Sequence, residues 1–291
     1  MKVPAAFYAL LLAGTAGACT SFVDFSSASP WYGMNFDWHP QMEILFRIES
    51  AEDGTRVFTM SFVTEQGPVP TLGVTQGGRF CNMQVTDAPW TGPEPSEETP
   101  YIWTPFYAVV YGGASLADLE GMVRTVTFAQ YDDPPLHVMA ADPCSAAMII
   151  EVGENGNEVL RRGDEPFLVM TNFDNTAWIG ADPDSIAGDG ADRYRRARAV
   201  LVANQGSLDE TVCMSVLEST ASRDEHFPTR ASMVFDVAHE LVYIAPAGRF
   251  DEIWSVDIGT GRMAFESGGC GLSTMVLDSS GVTVSSLIDG V

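Results

Sequence analysis

The sequence predicts an α+β fold, strand-rich layers covered by a few helices, and three observations lead there. Strand-like segments are numerous and run almost from end to end. Helical segments are fewer. The two kinds fall into blocks rather than alternating one by one, which argues for mixed α+β layers and against a doubly wound parallel sheet.

Taken in order, runs of β-branched and aromatic residues bounded by turn residues predict strands at 20–25, 31–37, 44–50, 56–62, 80–85, 146–152, 167–171, 233–236, 241–245 and 254–258. Ser115 followed three residues on by Asp118 reads as an N-cap, and Leu116, Leu119, Val123 and Val126 lie near helical spacing. A second helix is expected over 192–203, with Arg193, Arg195, Arg196 and Arg198 along it. A third should start at Ser207, with Glu210 completing a capping box ahead of Val212, Val216 and Leu217. The acidic, proline-rich stretch from Asp87 to Pro100 reads as an exposed loop bordering a binding site.

Hydrophobic residues make up 46% of the 291-residue chain and aromatics 10%, enough to bury a sizeable core and to exclude global disorder. The first 18 residues have a different character. Met1 and Lys2 precede an apolar run from Val3 to Leu12, and Ala16, Gly17 and Ala18 give a small-x-small ending. Those are the parts of a secretory signal, and the run is shorter than the roughly 20 residues that span a bilayer. The expectation is a signal peptide over 1–18 and one mature domain over 19–291, periplasmic or secreted, with no membrane insertion after cleavage.

The formal charge is −24, and Lys2 is the sole lysine, so the mature chain would carry 14 arginines against 39 acidic residues, or −25. A surface of that sign repels nucleic acid and anionic lipid, which excludes both as partners. The five cysteines, Cys19, Cys81, Cys144, Cys213 and Cys270, show no CxxC spacing, and the four histidines are scattered, so neither a metal site nor a cofactor is expected. Setting Cys19 aside leaves an even number in an oxidising compartment, with three pairings, or none, open.

The chemistry concentrates at the new terminus. Residues 19–25 and 31–37 flank the turn-prone stretch 26–30, which predicts an antiparallel hairpin. Centred near Ala28, it would set Cys19 opposite Asp37, with Cβ atoms about 4.5–5.5 Å apart. A thiol with a pKa of about 8.5 needs a base at neutral pH, and a free α-amino group with a pKa of about 7.7–8.0 on the same residue can serve. Asp37 could hold that amine. Signal cleavage would then create nucleophile and base together.

The CTSF run from Cys19 and the YGMNFDW run from Tyr32 resemble the start of the choloylglycine hydrolase and penicillin V acylase group of N-terminal-nucleophile hydrolases. In its G-R-N-x-D segment, Asn35 takes the asparagine and Asp37 the catalytic aspartate, while Met34 stands where the family has an arginine beside the nucleophile. The segment from Gly73 to Phe80 is similar to the family's G-M-N-E-x-G-L. It leads to Asn82, or else Gln84, as an amide contributing to the oxyanion hole. Leu168 to Asn172 resembles L-T-N and gives Asn172 as an oxyanion donor. The 192–196 segment resembles S-R-F-x-R and gives Arg193 as the active-site arginine, and 232–244 resembles a late hairpin.

The resemblance implies a four-layer αββα sandwich of two antiparallel sheets, and hydrolysis of a linear amide through a Cys19 thioester. Its substrates would be small N-acyl amides such as acyl amino acids, acyl homoserine lactones, penicillin V or bile salts. The family's precedent also points to a homotetramer or dimer. Phe173, Trp38, Trp90 and Trp103 are candidates for lining an acyl pocket, against the commoner role of core or loop anchors. The alternative is a lipid-anchored or secreted binding protein on the same fold without turnover, for which Met34 is the best argument. A lipoprotein signal usually has leucine where Ala16 stands, which favours ordinary cleavage over lipidation of Cys19.

Overall fold

The computed structural model describes residues 18–87, 92–93, 96, 99–129, 135–144, 146–153, 156–267 and 271–290. Its strands form two antiparallel sheets of eight. One sheet runs, in spatial order, β10 (Phe167–Met170), β1 (Thr20–Asp24), β2 (Trp31–Asp37), β11 (Thr229–Asp236), β12 (Leu241–Pro246), β13 (Trp254–Asp257), β14 (Arg262–Ser267) and β15 (Gly271–Val276). The other runs β16 (Val282–Thr283), β3 (Ile44–Ser50), β4 (Arg56–Thr64), β5 (Gly67–Thr75), β6 (Phe80–Val85), β7 (Leu136–Ala141), β8 (Ala147–Gly153) and β9 (Gly156–Arg161).

The sheets face each other across one apolar core that includes Tyr32, Met34, Phe46, Phe58, Phe80, Met233, Phe235 and Trp254. α3 (Ala191–Ala203) and α4 (Glu210–Thr220) cover the outer face of the first sheet with Ala197, Leu201, Val216 and Leu217. α1 (Thr104–Val110) and α2 (Leu116–Thr125) cover the second with Phe106, Val109, Leu119 and Val123. The short α5 (Val284–Asp289) sends Val284 and Leu287 into the core between the sheets. The four-layer αββα sandwich expected from the sequence is the fold.

Two local expectations change. The capping box predicted at Ser115 and Asp118 is present, but the helix expected from Ser207 is capped by Asp209, whose side chain accepts from the Val212 N–H. The hairpin register is also one residue off. Its pairs run from Thr20–Asn35 to Asp24–Trp31, so Cys19 falls opposite Phe36 rather than Asp37. The cause lies in the turn. Phe25 donates its N–H to Pro166 instead of joining β2, and Asp24 Oδ1 accepts from both N–H and Oγ of Ser26. The loop therefore spans 25–30, and its centre falls between Ser27 and Ala28.

Cys81, Cys144 and Cys213 are free thiols, Cys81 and Cys213 buried and Cys144 exposed, while Cys270 lies outside the described residues. Much of the loop expected between Asp87 and Pro100, Trp90 included, also lies outside them.

Candidate active site

Cys19 precedes β1 and turns its side chain into the core between the sheets, where it is 2% exposed among residues that include Met34 and Phe36. On its other side β1 pairs with β10, Ser21 opposite Met170. Continued by two residues, that register sets Asn172 beside Cys19. The neighbour sought on β2 thus lies two residues past the end of β10.

Arg193 ties these residues together. It is carried on the first turn of α3, whose preceding residue, Gly190, has φ +80°; a Cβ there would lie 2.7 Å from Arg193 Nη2 and 2.9 Å from the Thr171 side chain. Glycine at 190 is what lets the helix start this close to the strand end. Nη1 of Arg193 donates to the carbonyl oxygens of Ala18 and Cys19, on both sides of the nucleophile candidate, and to Thr20 Oγ1 at 3.3 Å. Nη2 donates to Asn172 Oδ1 at 2.9 Å and meets Asp189 Oδ1 at 3.4 Å. Asn172 Nδ2 donates to the Val85 carbonyl at 2.7 Å, and Asp87 N–H donates to the Asn172 carbonyl at 2.6 Å. Both ends of that side-chain amide are oriented.

Asp37, at the end of β2, is fully buried. Its Oδ1 accepts from Thr229 Oγ1 at 2.5 Å, and its Oδ2 has no hydrogen-bond partner. Burial pushes its carboxyl up to about 7, against smaller opposing effects of the Thr229 hydrogen bond and the Arg193 charge. The Cys19 thiol makes a long contact of 3.7 Å to the Asp37 carbonyl oxygen. Burial first, then the Asp37 charge, push that thiol up to about 12, and the hydrogen bond and Arg193 offset only part of it. These values belong to the chain with the Ala18–Cys19 peptide bond intact. There Cys19 has no free amine and the thiolate is suppressed.

Asn82 is placed differently. Its Nδ2 donates to Ser21 Oγ at 2.6 Å and lies 3.4 Å from Met34 Sδ, while Gln84 Nε2 also donates to Ser21 Oγ. The two candidate amides therefore converge on a hydroxyl two residues past Cys19. Met34 is fully buried. Asn35 faces the helices: its Nδ2 donates to Leu217 O at 2.7 Å and Thr220 Oγ1 at 3.0 Å, and its Oδ1 accepts from Ser232 Oγ at 2.7 Å. It fastens β2 to α4 and β11.

Of the aromatic candidates, Trp38 is half-buried and stacks between Phe36 and Phe62, next to Asp37. Phe173 packs on Ile186, Ala191 and Tyr194, and Trp103 stacks on Tyr101, so both serve as anchors. Thr229 and Asp189 were not anticipated. Thr229 meets Asp37 only through the β2–β11 register, which no local pattern reveals. Asp189 sits four residues before Arg193, a spacing that could have flagged it. Among the described residues no group of His, Cys, Asp or Glu could hold a metal ion, and no helix is long and apolar enough to cross a membrane.

The αββα sandwich, with a buried cysteine just before its first strand, has the N-terminal-nucleophile hydrolase fold. No protein-family model and no curated protein matches the sequence. Solved structures do. The chain is similar to a variant of conjugated bile acid hydrolase from Clostridium perfringens, with a TM-score of 0.64 at 14% identity over 90% of this chain and 98% of that one. It is similar to penicillin V acylase from Agrobacterium tumefaciens, with a TM-score of 0.57 at 14% identity over 85% and 90%. It also matches the Caenorhabditis elegans N-acylethanolamine-hydrolyzing acid amidase ortholog, with a TM-score of 0.52 at 20% identity over 75% and 93%.

Proposed function

We propose that this chain is an exported amidase that hydrolyses the linear amide bond of small N-acyl substrates, with Cys19 as the nucleophile once residues 1–18 are removed. The observation that carries the reading is the convergence at Arg193, which bridges the carbonyls flanking Cys19 to the amide of Asn172. A core cysteine would need no such frame. The fold neighbours named above are, by their descriptions, a conjugated bile acid hydrolase, a penicillin V acylase and an N-acylethanolamine-hydrolyzing acid amidase, which supports the same reaction class.

Cleavage frees the α-amino group of Cys19, which takes the thiol proton as the sulfur attacks the substrate's carbonyl carbon. The unpartnered Oδ2 of Asp37 would hold the resulting ammonium. Asn172 donates to the oxyanion, a contribution of roughly 3 kcal/mol per donor in comparable sites. As the C–N bond breaks, the ammonium returns its proton to the departing amine. Water then attacks the thioester, giving a proton to the α-amine; as the C–S bond breaks, the ammonium returns that proton to the sulfur and the carboxylic acid leaves. Asn82 acts indirectly, through Ser21 on the nucleophile's strand. Trp38 and Phe36 give an apolar wall for the acyl group.

A binding protein without turnover is the second reading, favoured by the apolar Met34 beside Cys19. One experiment separates the two. The protein recovered from an exporting host is weighed intact, then offered penicillin V, acyl homoserine lactones, N-acylethanolamines and conjugated bile salts, with Cys19→Ala as control. A chain starting at unmodified Cys19 that cleaves one of these, with no turnover by the variant, supports the amidase. A diacylglycerol-bearing Cys19, or a terminus elsewhere, would overturn it.

A further inference from the structure

We propose that the buried pair His137 and Glu151, on the sheet opposite Cys19, is a positioning device for Asn172; the inference rests on the amidase reading above. Gln84, His137, Glu151 and Glu158 occupy neighbouring strands β6, β7, β8 and β9, with Gln84 opposite His137 and Glu151 opposite Glu158. His137 Nδ1 lies 2.9 Å from Glu151 Oε1, and their side chains are 0% and 4% exposed. On β7 and β8 the row adjoins an apolar run on the same face, Met139 and Ala141 on one strand and Ala147 and Ile149 on the other. Burial alone would raise the Glu151 carboxyl, but the His137 contact and the Asn175 hydrogen bonds outweigh it and hold the acid well below its ordinary range.

What the row binds explains its cost. Glu151 Oε1 accepts from Asn175 N–H and Nδ2, both at 3.0 Å, and Oε2 accepts from Thr176 N–H at 2.8 Å. Glu158 Oε2 accepts from Thr176 Oγ1 at 2.7 Å. Asn175 and Thr176 lie three and four residues past Asn172 in the chain, beyond the end of β10. At the row's other end Gln84 donates to Ser21, on the strand of Cys19. One polar rung of the second sheet therefore grips both segments of the first sheet that carry Cys19 and Asn172. An apolar pair of equal volume would fill the space and stabilise the fold as well or better, yet it could not fix a loop's N–H groups. Since a misplacement of about 1 Å can cost about 10²-fold in rate, the grip bears on turnover through the Asn172 amide.

The test compares His137→Leu, His137→Gln, Glu151→Gln and the milder Asn175→Ala, each checked for folding, alone and combined with Asn172→Ala. His137→Leu should lower kcat by about 10–100-fold with KM within about 3-fold, and His137→Gln, which can still donate to Glu151, should recover most of the loss. In the Asn172→Ala background the same changes should matter less than about 2-fold, because the group they position is gone. Hydrogen exchange at the Asn175 and Thr176 amides should quicken about 10-fold or more in Glu151→Gln, whatever the turnover.

Folded variants with wild-type kcat, or losses equally large with and without Asn172, overturn the inference while leaving the amidase reading intact. An Asn172→Ala chain as active as wild type sinks the premise itself, and faster exchange in Glu151→Gln would then show a loop anchor with no part in catalysis. If His137→Leu fails to fold, Asn175→Ala decides by the same criteria.

Discussion

Arg193 Nη2 donates to Asn172 Oδ1 at 2.9 Å, and this contact fixes which end of the Asn172 amide is oxygen and which is donor. The guanidinium can do so because its planar fork also spans the Cys19 carbonyl and Thr20 Oγ1. Lysine would supply the charge without the fork. Arg193→Lys is therefore expected to lose about 10²-fold in kcat/KM and about 2 kcal/mol of stability, since buried acceptors are left unpaired. Steady-state kinetics and urea unfolding of the variant check both. Turnover within twofold of wild type would remove Arg193 from the mechanism.

With the Ala18–Cys19 bond intact, the Cys19 thiol is held at about 12. At pH 8 such a thiol is ionised about 10³-fold less than one with an ordinary pKa of about 8.5. Iodoacetamide should thus modify exposed Cys144 in the uncleaved chain while sparing Cys19, with buried Cys81 and Cys213 as further unreactive references. Release of residues 1–18 should accelerate labelling at Cys19 sharply, because the freed ammonium favours the thiolate. Peptide mass spectrometry before and after cleavage reads the change. Equal rates in the two forms would mean that the amine does not activate the sulfur.

The Asp37 carboxyl, raised by burial to about 7, links stability to pH in the uncleaved chain. The unfolded chain loses that proton near its ordinary value of about 3.9, whereas the folded chain keeps it to about 7. Between these limits the folded state binds more protons, so this group's contribution falls as pH rises and is flat outside the window. The full fall is roughly 4 kcal/mol at most, at about 1.4 kcal/mol per pKa unit. Asp37→Asn should lack the slope. Urea midpoints of both chains at pH 4.5 and pH 7 give the difference, and parallel profiles would show that Asp37 is ionised throughout.

The difference between what was legible in the sequence and what was not follows from sequence separation. Cys19, Asp37, Asn172 and Arg193 could be picked out because each lies in a short run that resembles a family segment, and the sandwich because strands and helices come in blocks. The register error at Cys19 arose from two contacts at a turn, Phe25 to Pro166 and Asp24 to Ser26, of which the first reaches 141 positions along the chain. Thr229 beside Asp37 and the rung from Gln84 to Glu158 are likewise products of strand pairing. No run of neighbouring residues encodes them. Asn82 shows the converse: the sequence singled it out as an oxyanion-hole amide, and the structure sets its Nδ2 on Ser21 Oγ.

Gly33, in the segment that resembles the family's G-R-N-x-D, has a steric reason to be glycine. Phe22 is its cross-strand partner on β1, and a Cβ at position 33 would lie 2.2 Å from the Phe22 ring. The ring uses the empty place above the glycine. Gly33→Ala should cost about 1–3 kcal/mol by overpacking. In Gly33→Ala with Phe22→Leu, the penalty for the alanine should shrink, since the two residues share one contact. Additive losses in the double variant would show that the clash is relieved elsewhere.

Met34 marks the departure that matters most for choosing between enzyme and binder. It lies between Ser21 on β1 and Met233 on β11, fully buried, with the Asn82 amide nitrogen 3.4 Å from its sulfur. The oxygen of that same amide, Asn82 Oδ1, and Gln84 Oε1 nearby are buried acceptors without hydrogen-bond partners. Met34→Arg would bury a guanidinium, at an expected cost of about 3–5 kcal/mol unless the side chain reaches these amide oxygens or the unpartnered Oδ2 of Asp37. Met34→Leu, close in volume, should cost less than about 1.5 kcal/mol. Urea unfolding of both variants, with turnover measured alongside, gives the answer. A strongly destabilised arginine variant means that this site has been rebuilt around an apolar neighbour and works without the cation. A stable one that turns over where the wild type does not would mean that Met34 silences a site that still accepts the arginine, which favours the binding-protein reading.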